Sequence, residues 1–218
     1  MMLKKVFITS IFFVCFLFLS SPVSAVTYYV SPTGSDENPG TAAQPFASFW
    51  QATSVLQPGD ELKFYGGTYN QKLFTQKNGT ATQPIKFSAV AGQKPIIDMQ
   101  NNNDSGIHVN SQYVEISDIE VQNVKKITSE GPSGICVYVE GDNVTLNNLT
   151  IHHCYTHGIL MFTKNITLTN SNVSYTNLVN QALQQGTQYG SAIKVAIGGE
   201  NIRIEKNTVH HNYGEGIA

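Results

Sequence analysis

The stretch "SGICVYVEGDNVTLNNLTIHHC", residues 133–154, decides the fold, because apolar and polar residues alternate in it over short runs. Val144 and Leu146, for example, lie on either side of Thr145. A period of two with β-branched residues is typical of short strands that turn one face inward. The two-residue Asn-Gly or Asp-Gly turns that antiparallel hairpins need are missing between these runs. The stretch therefore predicts several short strands joined by polar corners.

The same pattern recurs along the chain, which indicates a repeat architecture. Similar stretches begin at Ser105, Ser133, His157, Ser191 and Gly214. They share the isoleucines Ile107, Ile135, Ile159, Ile193 and Ile217. These isoleucines are 28, 24, 34 and 24 residues apart, which predicts a unit of 24 residues with insertions of 4 and 10. Units of this length stack as coils of a parallel β-helix, about 4.8 Å apart.

The predicted fold is therefore all-β, a single-stranded parallel β-helix with side-chain ladders at its corners. Asp118, Asn148 and Asn170 fall in one column of the alignment, where side-chain amides can bond to the next coil. Lys206 interrupts this column, although Asn207 restores it if the register shifts by one residue.

The first part of the chain divides into a leader and a cap. Residues 1–25 are predicted to be a secretory signal, since a basic start precedes an apolar run and small residues before a cleavage site. A membrane span is the rival interpretation, but the apolar run is short and no stop-transfer charges follow it. Residues 26–61 are predicted to form an N-terminal strand, a turn and a capping helix, and residues 62–218 the coils.

The capping helix is predicted over residues 45–56, because a solenoid must cover the open end of its core. Phe46, Phe49, Trp50 and Leu56 are expected on its apolar face. Trp50, the single tryptophan of the chain, is accordingly expected to be a cap residue. The alternative is a platform on which a sugar ring stacks.

The chain ends in "GEGIA", residues 214–218, where another coil begins. The strand that should follow Ile217 is absent, and no polar unit covers the end of the core. An uncapped solenoid exposes apolar interior and an unpaired edge. We therefore expect the chain to be C-terminally truncated.

The charge balance argues against a nucleic-acid binder. Without Lys4 and Lys5 of the signal, 11 basic residues stand against 15 acidic ones, and no basic stretch is clustered. An acidic partner must therefore be met by local cations. We expect an exported monomer that does not associate with membranes after signal cleavage.

The insertions at residues 125–132 and 177–189 fall at the same corner, and insertions on one face of a solenoid usually wall its binding face. The outward column beside them is predicted to be His108, Cys136, Leu160 and Lys194. The next column is predicted to be Asn110, Tyr138, Phe162 and Ala196. Apolar outward residues can simply lie under the two loops, or they can floor a groove where sugar rings stack. In the second case His108, Tyr138 and Phe162 are the substrate-binding candidates.

Lys194 is the cation best placed on this face and is the catalytic candidate. A lysine that is partly desolvated beside aromatic rings can act as a base near neutral pH. The alternative is an ordinary solvated surface lysine.

The histidines and cysteines give no firm metal site. His153, Cys154 and His157 lie close in sequence but lack a standard ligand spacing, so we assign no metal ligand. His153 and His211 share a column with Tyr175 between them, two coils apart and too distant for one ion. Export permits a disulfide between Cys136 and Cys154, but the sequence leaves open whether they pair.

The beginning of the mature chain resembles a known group of proteins. The motifs are "YYVSPTGSDENPGT" (28–41), "LQPGDELKFYGGTY" (56–69) and "NGTATQPIKFSAVAGQKPIID" (78–98). They are similar to the start of secreted right-handed β-helix proteins, among them family 9 pectate lyases and chondroitinase-B-like or alginate lyases. The resemblance implies a right-handed coil and an extracellular or periplasmic location.

The resemblance also implies β-elimination on an acidic polysaccharide such as pectate. In that family calcium neutralises the uronate carboxylate and a lysine or arginine removes the neighbouring ring proton. Calcium is therefore expected here, but Asp98, Asp104, Asp118 and Asp142 are scattered and form no aspartate cluster. Two alternatives stay open. One is a non-catalytic carbohydrate-binding or surface-adhesive module; the other is a glycosidase, which needs paired carboxylates where Glu215 alone lies near the groove.

Overall fold

The computed structural model describes residues 24–100, 104–125, 134–179 and 190–218. The predicted secretory signal lies outside the described residues except for Ser24 and Ala25. Within the described ranges, no helix has the length and apolar composition needed to cross a bilayer.

The described residues include the short helix α1 (Phe49–Val55) and a long series of strands. The strands are, in chain order, β1 (Thr27–Val30), β2 (Glu61–Phe64), β3 (Gly67–Tyr69), β4 (Leu73–Phe74), β5 (Ile85–Ala89), β6 (Pro95–Asp98), β7 (Ile107–Val109), β8 (Val114–Ser117), β9 (Glu120–Val124), β10 (Val137–Val139), β11 (Val144–Asn147), β12 (Thr150–Cys154), β13 (Ile159–Met161), β14 (Lys164–Thr169), β15 (Asn172–Thr176), β16 (Ser191–Val195), β17 (Glu200–Glu205), β18 (Thr208–His210) and β19 (Glu215–Ile217).

These strands form three parallel sheets, and successive strands of the coils pass from sheet A to sheet B to sheet C. Sheet A has the order β1-β2-β5-β8-β11-β14-β17, sheet B the order β18-β15-β12-β9-β6-β3, and sheet C the order β19-β16-β13-β10-β7-β4. Neighbours in each sheet pair in parallel, one coil apart. The structure thus confirms the predicted parallel β-helix.

The core fills the interior of the coils, as the period of two predicts. Val144 and Leu146 of β11 are almost completely buried, and Leu146 stacks between Ile116 and Leu168 of the adjacent coils. Each inward position therefore has an apolar neighbour above and below it, which removes apolar surface from water along the whole solenoid.

The repeat length predicted from the isoleucines is wrong by two residues at one coil. Val137, and not Ile135, pairs with Ile107 and Ile159. The spacings at this position are therefore 30 and 22 residues, and 22 is the shortest coil. The run of alternating residues around Val137 is compatible with either register, because a shift of two keeps Val137 and Val139 inward. The next strand fixes the register. Val144 pairs with Val114, and the residues seven positions before them are Val137 and Ile107, which pair in turn.

The predicted corner ladder is confirmed. Asp118, Asn148 and Asn170 have φ angles of 63°, 51° and 54°, in the left-handed region that Asn and Asp tolerate. The Asn148 amide donates to Asp118 Oδ1 at 2.7 Å. Lys206 keeps the backbone column with a φ of 57°, while the Asn207 side chain accepts a hydrogen bond from the Ser171 N–H. The register does not shift.

A ring ladder runs along sheet B. His153, Tyr175 and His211 share a column, as predicted, and all three have positive φ angles. The ring of Tyr175 stacks on His153 at 5.3 Å and on His211 at 5.5 Å. These histidines therefore support coil stacking.

The cap helix is shorter than predicted and turns Trp50 outward. Ser48 caps its N-terminus by accepting a hydrogen bond from the Gln51 N–H. Phe49 and Leu56 are buried, with Ala52 and Thr53 at the intervening helical spacing. Trp50 lies off this stripe and is 68% exposed. The expectation that Trp50 packs in the cap is therefore wrong.

The corner ladder predicts a specific order of stability. Replacing Asn148 by Gly removes the amide hydrogen bond, and replacing it by Ala also forces a left-handed residue that carries a Cβ. We expect Asn148→Ala to unfold more readily than Asn148→Gly, by about 1 kcal/mol. Urea unfolding followed by circular dichroism measures the difference, with Thr145→Ala as the control on the adjacent strand. Equal stability of the two Asn148 variants would contradict the ladder.

Candidate functional site

The outer face of sheet C carries one side chain per coil in a column that we call the central column. It consists of Phe74, His108, Tyr138, Leu160 and Lys194. Each member pairs directly with the next across parallel strands, so neighbouring backbones are about 4.8 Å apart. The face therefore presents a continuous line of side chains along the axis of the solenoid.

The rings on this face contact one another in sequence. His108 lies 5.1 Å from Phe74 and 4.8 Å from Tyr138, measured between ring centres. Tyr138 in turn meets Phe162 edge-on at 5.7 Å. The structure thus brings together the three predicted substrate-binding residues, whose role in binding remains a prediction, and adds Phe74.

The two columns predicted from the sequence need correction. Cys136 is not outward: it is completely buried and forms a disulfide with Cys154. Tyr138 occupies the place predicted for Cys136, opposite His108. Glu140 occupies the place predicted for Tyr138, directly after β10. The two-residue register of this coil explains the places of Tyr138 and Glu140, whereas Cys136 lies just before β10, outside the alternating strand, and packs in the core.

Glu140 is the residue of this face that the sequence interpretation missed. Its carboxylate accepts a hydrogen bond from the Tyr138 hydroxyl at 2.7 Å and pairs with His108 Nε2 at 2.7 Å. Because a carboxylate only accepts, Nε2 of His108 must carry a proton. The sequence does contain a signal for this position. Ile107 and Val137 each lie seven residues before an aligned valine, Val114 and Val144, and aligning Val137 with Ile107 puts Glu140 opposite Asn110 on the outer face.

The pKa values of Glu140 and Tyr138 are shifted in opposite directions. Partial burial opposes the charge of Glu140, but hydrogen bonds from Tyr138 and His108 outweigh it and hold the Glu140 pKa below its usual value. Burial, with the adjacent Glu140 carboxylate, raises the pKa of Tyr138 to about 12. At neutral pH the face therefore presents a carboxylate and a phenol that stays protonated.

The apolar residues of the face divide between two roles. Tyr138 and Leu160 are buried, 8% and 6% exposed, and form a small cluster with Ile135. Phe162 is 39% exposed. Tyr138 and Leu160 are therefore covered residues, as the first of the two alternatives predicted for the outward apolar side chains. Phe162, in contrast, has an exposed ring.

Lys194 lies at the C-terminal end of the central column, paired with Leu160. Its side chain is half-buried, and the described residues provide no ion-pair or hydrogen-bond partner for its ammonium. His157 is nearby, and its Nδ1 accepts a hydrogen bond from the Ser191 N–H at 3.0 Å. Burial lowers the pKa of His157, and the charge of Lys194 lowers it further. Lys194 therefore stands beside a neutral imidazole.

The described residues do not fit a calcium site. Within them, no three His, Cys, Asp or Glu side chains are grouped to hold a metal ion. The acids of the face are already bonded, Glu140 to Tyr138 and His108, and Glu215 to the Ser191 hydroxyl at 3.2 Å. A metal site formed by His153, Cys154 and His157 is also excluded, because the Cys154 sulfur is bonded to Cys136 in the disulfide. Calcium binding stays a prediction from the resemblance.

Comparisons with known proteins agree with the fold. A family model described as the Pel9A-like right-handed β-helix region matches residues 28–188. Pectate lyase PEL9 of Emericella nidulans is 33% identical over 137 residues, which cover 55% of this chain. The chain spans only 26% and 32% of the length of the two curated relatives that it matches.

Two solved structures show the same architecture at low sequence identity. Pectate lyase Pel9A aligns with a TM-score of 0.62 and 20% identity, covering 88% of this chain and 56% of that one. The lacto-N-biosidase of glycoside hydrolase family 136 from Eubacterium ramulus aligns with a TM-score of 0.65 and 20% identity, covering 88% and 42%. These likenesses show the fold alone.

The pKa of Glu140 predicts how acid affects folding. A carboxyl whose pKa is lowered in the folded state stabilises the protein above its ordinary pKa of 4.5, and this contribution is lost as the pH falls below that value. The stability difference between wild type and Glu140→Gln should therefore be larger at pH 7 than in acid. Urea unfolding at pH 7 and at about pH 3 measures it.

Glu37→Gln is the control, because the Glu37 side chain has no ion-pair or hydrogen-bond partner among the described residues. Tyr138→Phe removes one hydrogen-bond donor to Glu140. It should therefore show a smaller pH-dependent loss of stability of the same sign as Glu140→Gln. The same difference at both pH values would contradict the hydrogen-bonded state of Glu140.

Proposed function

The chain belongs to the Pel9A-like right-handed β-helix family, and from this premise we propose that it serves as a secreted polysaccharide lyase. The substrate class is an acidic polysaccharide such as pectate, bound along the outer face of sheet C. The supporting relatives act on different polysaccharides by different chemistry, so the proposal rests on this face and not on the fold.

One observation carries the proposal: Lys194 continues the same column as the contacting rings of Phe74, His108 and Tyr138, with no partner for its charge among the described residues. A linear sugar chain lying along the column would stack on the exposed ring of Phe162 beside it and bring a uronate to the Lys194 side chain. Lysines that are paired with carboxylates are less available to a substrate. Lys72, for example, lies 2.6 Å from Asp104.

The proposed reaction assigns a step to Lys194. Lys194 first releases its ammonium proton to solvent, and the resulting amine takes the ring proton next to the uronate carboxylate. The electron pair of that C–H bond forms a carbon–carbon double bond, and the glycosidic C–O bond on the next carbon breaks. The leaving oxygen takes a proton from water.

The other residues of the face position the sugar chain. The exposed ring of Phe162 offers a surface for the apolar face of a pyranose. The Nε2–H of His108 donates a hydrogen bond to Glu140, which fixes the orientation of both side chains. The remaining lone pairs of the Glu140 carboxylate can accept hydrogen bonds from sugar hydroxyls.

The disulfide supports the proposed location. Cys136 and Cys154 are bonded within the solenoid. Disulfides persist in oxidising compartments and are rare in the cytosol. The bond agrees with the predicted secretory signal of residues 1–25, and an extracellular or periplasmic protein would meet polysaccharide there.

Lys194→Ala tests the proposed base. We expect a loss of turnover on pectate of about 10²- to 10⁴-fold, with little change in unfolding. Absorbance of the conjugated unsaturated product measures turnover, and urea unfolding checks the fold. Lys164→Ala, an exposed lysine on sheet A, is the matched control. Unchanged turnover in Lys194→Ala would remove Lys194 from the mechanism.

The products separate the proposal from its alternatives. New reducing ends without unsaturation would indicate a glycosidase and overturn the lyase assignment. Binding of pectate with no cleavage under any condition would indicate a carbohydrate-binding module and overturn it as well.

Removal of calcium provides a further test. The family resemblance predicts that chelator abolishes turnover and that added calcium restores it, whereas magnesium does not. Full turnover in excess chelator would contradict the expected calcium requirement. The role of Lys194 is tested independently by the turnover of Lys194→Ala.

A further inference from the structure

Trp50 borders a cavity at the N-terminal end of the same face. The cavity has a volume of about 270 Å³ and is lined by Trp50, Lys72 and Phe74. Small-molecule pockets usually measure roughly 300–1,000 Å³, so this one suits a single small ring. The indole is 68% exposed although it is the largest apolar side chain of the protein. Exposed aromatic rings beside a cavity are typical of binding surfaces.

The cavity continues the central column. Phe74 is the first member of that column and contacts His108 at 5.1 Å, so one wall of the cavity is also the first ring of the groove. Four coil steps separate Phe74 from Lys194, which is roughly 19 Å along the solenoid axis. A sugar chain that fills this distance has several rings, and the ring farthest from Lys194 reaches Trp50.

The polar groups of the cavity are arranged for hydroxyls more than for a charge. Lys72 Nζ lies 2.6 Å from Asp104 Oδ2 and 5.8 Å from the centre of the Phe74 ring. The charges of this pair offset each other, while the ammonium and the carboxylate keep free donors and acceptors. Adjacent sugar hydroxyls can use both. The cavity therefore suits the face and hydroxyls of a pyranose, with or without a carboxylate.

We propose that Trp50, Phe74 and Lys72 form a distal subsite that holds one pyranose ring of the polysaccharide by stacking on Trp50. This inference rests on the proposed function of sheet C. The subsite anchors long chains and lies too far from Lys194 to take part in bond cleavage. It also explains why the cap helix turns its tryptophan towards solvent and not towards the core.

The position of the single tryptophan makes the subsite directly observable. Oligogalacturonides of increasing length are titrated against the protein, with tryptophan fluorescence and calorimetry measured in parallel. We expect fluorescence to change only with oligomers long enough to reach Trp50, with the same dissociation constant as calorimetry. For these oligomers Trp50→Ala should bind roughly tenfold more weakly by calorimetry, and the loss should grow with length. Trp50→Phe, which keeps an aromatic ring, should retain most of the affinity.

Two comparisons make the test specific. Val26→Ala removes another exposed apolar side chain at the same end and should leave the affinity for long oligomers unchanged. Methyl-esterified oligomers should still change the fluorescence, because stacking needs no carboxylate. Loss of the signal on esterification would overturn the proposed neutral recognition.

The outcomes distinguish this subsite from the proposed function. Binding of long oligomers with constant fluorescence and unchanged affinity in Trp50→Ala would overturn the subsite, while the turnover of Lys194→Ala judges the lyase separately. Absence of any oligosaccharide binding to the wild-type protein would overturn both.

Discussion

Parallel hydrogen bonding of each coil to the next is the constraint on which the rest of the molecule depends. It sets equivalent residues directly above one another, so a single register fixes the core, the corners and the outer face together. Val137 stands between Ile107 and Ile159 inside the solenoid, and Tyr138 consequently stands between His108 and Leu160 outside. The same pairing allows Asn148 to reach Asp118 across a corner.

This constraint also explains what the sequence could and could not predict. Alternation of apolar residues was enough to predict the parallel β-helix and the outward position of Lys194 on sheet C. The predicted insertions at residues 125–132 and 177–189 lie mostly outside the described residues. Alternation could not separate two registers that differ by two residues, because both keep Val137 and Val139 inward. That ambiguity hid Glu140. Cys136 lies just before β10, outside the alternating strand, and packs in the core. In the cap, the helix begins at Phe49, four residues later than expected, so Phe46 lies outside it. The buried stripe of the helix is then Phe49, Ala52 and Leu56, and Trp50 lies off it.

The outer face of sheet C combines three physical properties that a polysaccharide site needs. It has rings in contact along the solenoid axis, a carboxylate held between two donors, and a half-buried lysine whose charge the described residues do not neutralise. Sheet B differs, because the rings of His153, Tyr175 and His211 stack on one another between coils. The proposed function and the Trp50 subsite both follow from this difference.

The most direct measurement is a crystal structure of the protein, with Lys194 changed to Ala to slow turnover, in complex with a long oligogalacturonide. The account predicts continuous sugar density along the central column of sheet C, with one ring over Phe162 and the ring farthest from position 194 against Trp50. Sugar density on sheet A, or along the stacked rings of sheet B, would contradict the central claim that sheet C is the carbohydrate-binding face.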